Sequence, residues 1–292
     1  MTKTIFFLLF SIFLIGCKET PKDESTALTH FETMDYVKVG QLFDSIKTPY
    51  IIDISNGKKR LVFVGCDHQV PATHPQFAAI QRLFWDLKPQ MTFNEGGQYT
   101  DSLRYENYQK AIGKDGESGA LKYWSDSLHV KMMNGDLSAK EEFALTSRYH
   151  TQEEWYLYYI MERCIVPFIY NNKGGKLPFD SVFNQNMNRY FLKNGLKITD
   201  EQRSFAHFKT VYQKNMAKPF DLKNVDIEAF DYVNPDCRFC AVGRISKMVR
   251  DSVLLTKIDD ALTNFDRVMV TFGHGHALAI EPALRQIVNK KR

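Results

Sequence analysis

The residues that could do chemistry fall in three places along the chain. Gly65-Cys66-Asp67-His68, with His74 a little further on, follows the apolar run Leu61-Val62-Phe63-Val64. Asn94-Glu95-Gly96-Gly97 follows Gln90-Met91-Thr92-Phe93. Gly273-His274-Gly275-His276 follows Val268-Met269-Val270-Thr271-Phe272. Imidazoles and a carboxylate suit two kinds of work. They can hold a divalent transition metal ion, with His68, Glu95, His274, His276 and His74 as candidate ligands, and so lower the pKa of a bound water. Alternatively, one histidine acts as a general base with Glu95 as its orienting partner. Both routes lead to hydrolysis, with His68, Glu95 and His276 as the catalytic set. A single histidine after a strand ordinarily caps or packs. The matched pair of Gly-x-x-His sequences, with Glu95 between them, is what points to a site. Asp67 and Cys66 are weaker candidates, and Cys66 reads equally well as a small buried filler. His30, His129, His150 and His207 read as surface or structural residues, and Arg148, Arg163 and Arg250 as solvated or ion-paired.

These positions require particular elements to carry them. In an open α/β sheet, ligand-binding groups collect at the carboxyl ends of the strands. If the three apolar runs are parallel neighbours, all three clusters lie along one edge. The runs 49–54 and 60–64, joined through Asn56-Gly57, predict a hairpin at the sheet edge. Pro75 starts a helix whose apolar residues Phe77, Ile80, Leu83, Phe84 and Leu87 recur at helical spacing and which Pro89 ends. With the next strand this makes a βαβ unit with a parallel pair. Helices are predicted over 102–112 and 119–128, separated by Gly113, Gly116 and Gly119, and a strand over 129–133. The middle reads as helical over 150–170, 180–193 and 200–216, with Thr199 and Gln202 as a capping box. The Trp155-Tyr156 and Tyr158-Tyr159 stripe reads as core more readily than as a substrate wall. A helix over 241–265, a strand over 267–272, a loop over 273–276 and a helix over 277–289 close the chain. The fold class is therefore α/β: a mostly parallel sheet flanked by helices, in two pseudo-symmetric strand–loop halves with a helical insertion over about 135–220.

The chain has 292 residues, 44% hydrophobic and 25% charged, an ordinary globular balance. Its net charge of +4 is mild, and basic residues gather only in short runs such as Lys290-Lys291-Arg292. Nucleic acid is not an expected partner. Lys3 precedes an almost unbroken apolar run over 5–15, the length of a signal-peptide core. Leu14-Ile15-Gly16-Cys17 resembles the lipobox of bacterial lipoproteins. That resemblance implies a signal peptide over 1–16, lipidation at Cys17, a polar tether over 17–30 and one α/β domain over 31–292. The lipid bilayer is then a partner through Cys17. The expected location is exported and anchored to a bacterial cell membrane, at the periplasmic or surface face of the outer membrane. Cys237-Arg238-Phe239-Cys240 could be a redox motif or half a zinc site, but no second Cys-x-x-Cys or clustered His pair completes a zinc tetrad. A local disulfide or two structural thiols is the simpler expectation.

The ordered set Gly65-x-x-His68, Glu95-Gly96 after a strand, and Gly273-x-x-His276 before a C-terminal helix resembles the TraB/TIKI and erythromycin-esterase-like superfamily. His74-Pro75, Lys88-Pro89 and Arg250-Asp251 are also similar to it. The resemblance covers roughly 60–110 and 240–290 and leaves the helical middle unmatched. It implies a two-halved α/β fold with facing strand–loop units, and His68, Glu95 and His276 as central site residues. Members include metal-dependent proteases, macrolide-ring esterases and haem-binding lipoproteins. Where the family's second motif often runs into Leu-Pro-Gly, this chain has Ala277-Leu278-Ala279, which leaves the substrate class open. The expectation is a membrane-tethered hydrolase of ester or peptide bonds, metal-assisted, acting on a small-molecule or peptide substrate. The alternatives are a haem- or small-ligand-binding lipoprotein and a catalytically silent surface domain whose two loops do not converge.

Overall fold

A computed structural model describes residues 31–68, 71–171, 178–193 and 198–291. The signal-peptide, tether and Cys17 expectations lie outside these residues. In chain order the elements are α1 (Tyr36–Leu42), β1 (Tyr50–Asn56), β2 (Lys59–Cys66), α2 (Pro75–Leu87), β3 (Met91–Asn94), α3 (Tyr108–Ser127) and β4 (Lys131–Asn134). Then come α4 (Ala139–Thr146), α5 (Gln152–Ile160), α6 (Val166–Asn171), α7 (Phe179–Asn186) and α8 (Phe205–Met216). The chain closes with α9 (Arg238–Asn264), β5 (Arg267–Gly273) and α10 (His274–Lys290).

The sheet order is β1-β2-β5-β3-β4. The β1–β2 hairpin is antiparallel and turns at Gly57, whose φ of +60° suits a residue without a Cβ. Every other pairing is parallel. The fold is thus α/β with a mostly parallel sheet, as the pattern of apolar runs predicts. One topological detail differs from expectation. β2 and β3 are parallel but do not pair, because β5 enters between them. Strand β5 is buried from Val268 to Gly273, as is β2 from Leu61 to Cys66, so both need cover on two faces. Leu61, Phe63, Phe93, Val268, Val270 and Phe272 pack against α9 and α10. Val62, Val64, Cys66 and Met269 pack against α2 and α3. Each such buried side chain contributes about 1.5–3 kcal/mol relative to exposure.

Several helix limits differ for identifiable local reasons. The helix placed at 102–112 begins instead at Tyr108, where the Asn107 side chain accepts from the Lys110 N–H. The second helix placed at 119–128 is its continuation, past non-helical backbone at Asp115 and Gly116. Thr199 and Gln202 exchange capping-box hydrogen bonds, but around a turn; Ser204 caps α8. The segment 273–276 is not a loop: β5 passes directly into α10 at His274. Elements α4 to α8 form the helical block between β4 and α9. Trp155, Tyr156, Tyr158 and Tyr159 lie in its own core, with Phe183, Phe191 and Phe208. Among the described residues no helix is long and apolar enough to cross a membrane.

Candidate active site

The parallel register brings the strand ends together. Cys66 of β2 stands opposite Gly273 of β5, and Asn94 of β3 opposite Thr271. His68, Glu95 and His276 therefore emerge at one edge of the sheet and line one cleft of about 440 Å³. Phe43 and Ile46, just beyond α1, line it too, with Tyr36, Tyr232, Lys47 and Lys247.

Glu95 is the hub. It leaves β3 where Gly96 and Gly97 adopt φ of +93° and +118°, a left-handed path that side chains disfavour. The Ser118 hydroxyl and the Asn94 amide donate to its carbonyl. Its carboxylate accepts from the Gly273 N–H at 2.6 Å through Oε2 and from the Arg250 guanidinium through Oε1. His68 Nε2 lies 3.4 Å from Oε2, and His276 Nε2 lies 4.0 Å from Oε1. Burial opposes the charge on Glu95. Arg250, His68 and His276 outweigh it, and the carboxyl is held far below the usual carboxylate range. Arg250 is itself clamped, donating to Asp136 through Nε at 2.7 Å and Nη2 at 2.8 Å.

Each catalytic-candidate histidine has its own carboxylate on the other ring nitrogen. Glu117 Oε1 is 2.6 Å from His68 Nδ1, and Asp251 Oδ1 is 2.6 Å from His276 Nδ1. An acceptor at Nδ1 places the proton there in the neutral ring and leaves Nε2 as the lone pair. Tyr36 donates to Asp251 Oδ2 at 2.7 Å and so fixes that carboxylate. His276 is 5% exposed, and its Nε2 has no hydrogen-bond partner. His68 sits at the mouth, its side chain 50% exposed. Desolvation opposes its charge, but the hydrogen bond it donates to Glu117 and the charges of Glu95 and Glu117 push its pKa up to about 9.

His274 and His74 are not part of this array. His274 lines the cleft but packs between Phe43 and Tyr50, with ring centroids at 5.6 and 6.1 Å. Burial lowers its pKa. His74, expected as a possible metal ligand, is the N-cap of α2, and its side chain accepts from the Gln76 N–H. Cys66 is buried with its thiol donating to the Val64 carbonyl; burial pushes its pKa well up, so it is no nucleophile. Asp67 lines the cleft, its backbone clasped by the Gln76 side chain in both directions.

Sequence reading missed Glu117, Asp136 and Tyr36. Glu117 follows the backbone break at Gly116, and that glycine was the one local signal for it. Lys247, also unanticipated, lines the cleft at 13% side-chain exposure, 3.8 Å from Glu162 and over the Tyr232 ring. The donor types fit a divalent transition metal: two imidazoles whose Nδ1 atoms are held by carboxylates, plus one carboxylate. In the described arrangement those groups pair with one another and with Arg250. Among the described residues no three His, Cys, Asp or Glu side chains stand as a metal-holding group. Comparison of the chain with family models, with curated proteins and with solved structures returns no match.

Proposed function

We propose that this chain is a hydrolase of ester or peptide bonds, held at a membrane surface through Cys17, with His68, Glu95 and His276 at its centre. The observation that carries this reading is a pair of carboxylate–histidine couples, Glu117–His68 and Asp251–His276, whose Nε2 atoms both face Glu95 across one cleft. A packing role for either histidine would not require a second carboxylate on each ring. His276 is the general base: its Nδ1–H donates to Asp251, which keeps Nε2 as the basic nitrogen and stabilises the imidazolium formed when Nε2 accepts a proton from water. His68 is the general acid, since a pKa of about 9 keeps it protonated at neutral pH. It returns a proton to the departing oxygen or nitrogen. Glu95, fixed by Arg250 and the Gly273 N–H, holds His68 in place and favours the charge developing on His276. The first turn of α10 opens on the cleft, and its N–H groups beyond Gly273, whose own N–H is held by Glu95, can stabilise an oxyanion.

A divalent metal held by His68, Glu95 and His276 would supply a Lewis acid and a water of lowered pKa. The unpartnered Nε2 of buried His276 favours this second version of the site. The likeness to the TraB/TIKI and erythromycin-esterase-like superfamily supports the same three residues.

The test is hydrolysis of a panel of p-nitrophenyl esters and fluorogenic peptides by the purified chain, with His276→Ala and His68→Ala alongside. Loss of general acid–base help predicts a fall in kcat of about 10²–10⁴. Unchanged hydrolysis in both variants removes the site. Elemental analysis after reconstitution separates the metal-assisted version from the metal-free one. A Soret shift on haem titration that disappears in His276→Ala would instead favour a ligand-binding lipoprotein.

A further inference from the structure

Cys237 and Cys240 are joined as a disulfide at the start of α9. The pair lies outside the cleft, about 15 Å along the helix from Arg250 at 1.5 Å per residue. Three features distinguish it from a structural staple. First, a disulfide stabilises mainly by closing a loop in the unfolded chain, and the effect grows with loop length. A sequence separation of 3 closes almost nothing, and both cysteines already belong to one helix start. Second, the two sulfurs are unequal. Cys240 is fully buried, whereas Cys237 is only partly so and stands beside exposed residues 235 and 236. Third, Cys237 is the N-cap of a 27-residue helix, and its sulfur accepts the Cys240 N–H at 3.2 Å. A helix N-terminus and an N–H aimed at sulfur favour the thiolate, against the Ala229 carbonyl 3.2 Å from the same sulfur.

We infer that Cys237–Cys240 is a redox-active disulfide that exchanges with thiols of a dithiol-bearing protein or small molecule, with Cys237 as the sulfur attacked. A donor thiolate attacks Sγ of Cys237. The Cys237–Cys240 bond breaks and its electron pair leaves on Cys240, which takes a proton from solvent. The resulting thiol can donate to the Glu228 carbonyl 3.5 Å away. The donor's second thiolate then attacks the mixed disulfide and releases Cys237 as a thiolate held by the helix start. The donor dithiol loses two electrons and becomes a disulfide; the cysteine pair gains two and becomes a dithiol.

The experiment equilibrates the folded, full chain with glutathione buffers of graded ratio, quenches by alkylation and reads each cysteine by peptide mass. The expected result is one two-electron transition at Cys237 and Cys240 within the glutathione range, with no denaturant present. Cys240→Ser should trap glutathione at Cys237 at least about tenfold faster than Cys237→Ser traps it at Cys240. A wild-type pair that stays oxidised at the reducing end until denaturant is added overturns the inference, and that arm needs no variant to fold. Equal trapping by the two variants overturns the assignment of Cys237.

Discussion

Arg250→Met removes the guanidinium that bridges Glu95 and Asp136. Arg250 is 4% exposed, and both carboxylates are 12% exposed at the side chain. Methionine keeps most of the aliphatic length against Phe272, so the loss is electrostatic in the main. Breaking a buried ion pair from one side costs about 3–5 kcal/mol, because a buried charge is left uncompensated. Here two carboxylates are left. Glu95 retains the Gly273 N–H and His68, and Asp136 retains the Leu137 N–H at 2.8 Å, which holds the expected loss to the lower part of that range. The assay is urea unfolding of wild type and variant between neutral and acidic pH. Glu95 has a folded pKa below its unfolded value. Its contribution is therefore present above the ordinary carboxylate value of about 4 and is lost as pH falls toward the lower folded value. The gap between wild type and variant should be widest near neutrality and narrow below about pH 4. Arg250→Lys should fall between the two, since it keeps the charge and loses the fork. A loss under about 1 kcal/mol at neutral pH, or one that does not vary with pH, would refute the claim that this network is held together by charge.

Three further outcomes follow from the same geometry. The His68 ring should titrate by NMR at about 9, and Glu117→Gln should lower that value. A folded pKa above the unfolded 6.5 means that the stabilisation is complete below 6.5 and gone above about 9, so a titration at or below 6.5 would contradict the couple. Asp251→Asn should lower kcat by about 10²–10⁴ with little change in KM, because it removes the acceptor that sets the His276 tautomer. A fall in kcat/KM carried by KM alone would count against that role. Gly273→Ala places a Cβ 2.9 Å from His68 Nε2 and 3.2 Å from Glu95 Oε2. Overpacking of this kind costs about 1–3 kcal/mol in unfolding measurements, and the rate should fall as the hub is displaced; a variant equal to wild type in both would show that the approach is not tight.

The sequence by itself determined where the strands lie and which polar residues follow them. Apolar runs of strand length, Asn56-Gly57, Pro75 and Pro89 are local signals, and local backbone physics reads them locally. It was enough to place His68, Glu95 and His276 each just after an apolar run, and the parallel pairing of β2, β5 and β3 then brought them to one sheet edge. Helix starts were less legible, since Asn107 and Ser204 compete with other polar residues nearby for the cap. What tertiary structure alone decided was the partnership of each group. Insertion of β5 between β2 and β3 set the Gly273 N–H against Glu95. A backbone break at Gly116 delivered Glu117 to His68, 49 residues away in the chain. One turn of α9 supplied Arg250 to Glu95 and Asp251 to His276. His74, close in sequence to the site, was drawn into capping α2 instead. The reason is physical: propensity and periodicity act over a few residues, whereas a carboxylate finds its imidazole only once packed layers have fixed which strand ends and helix faces meet.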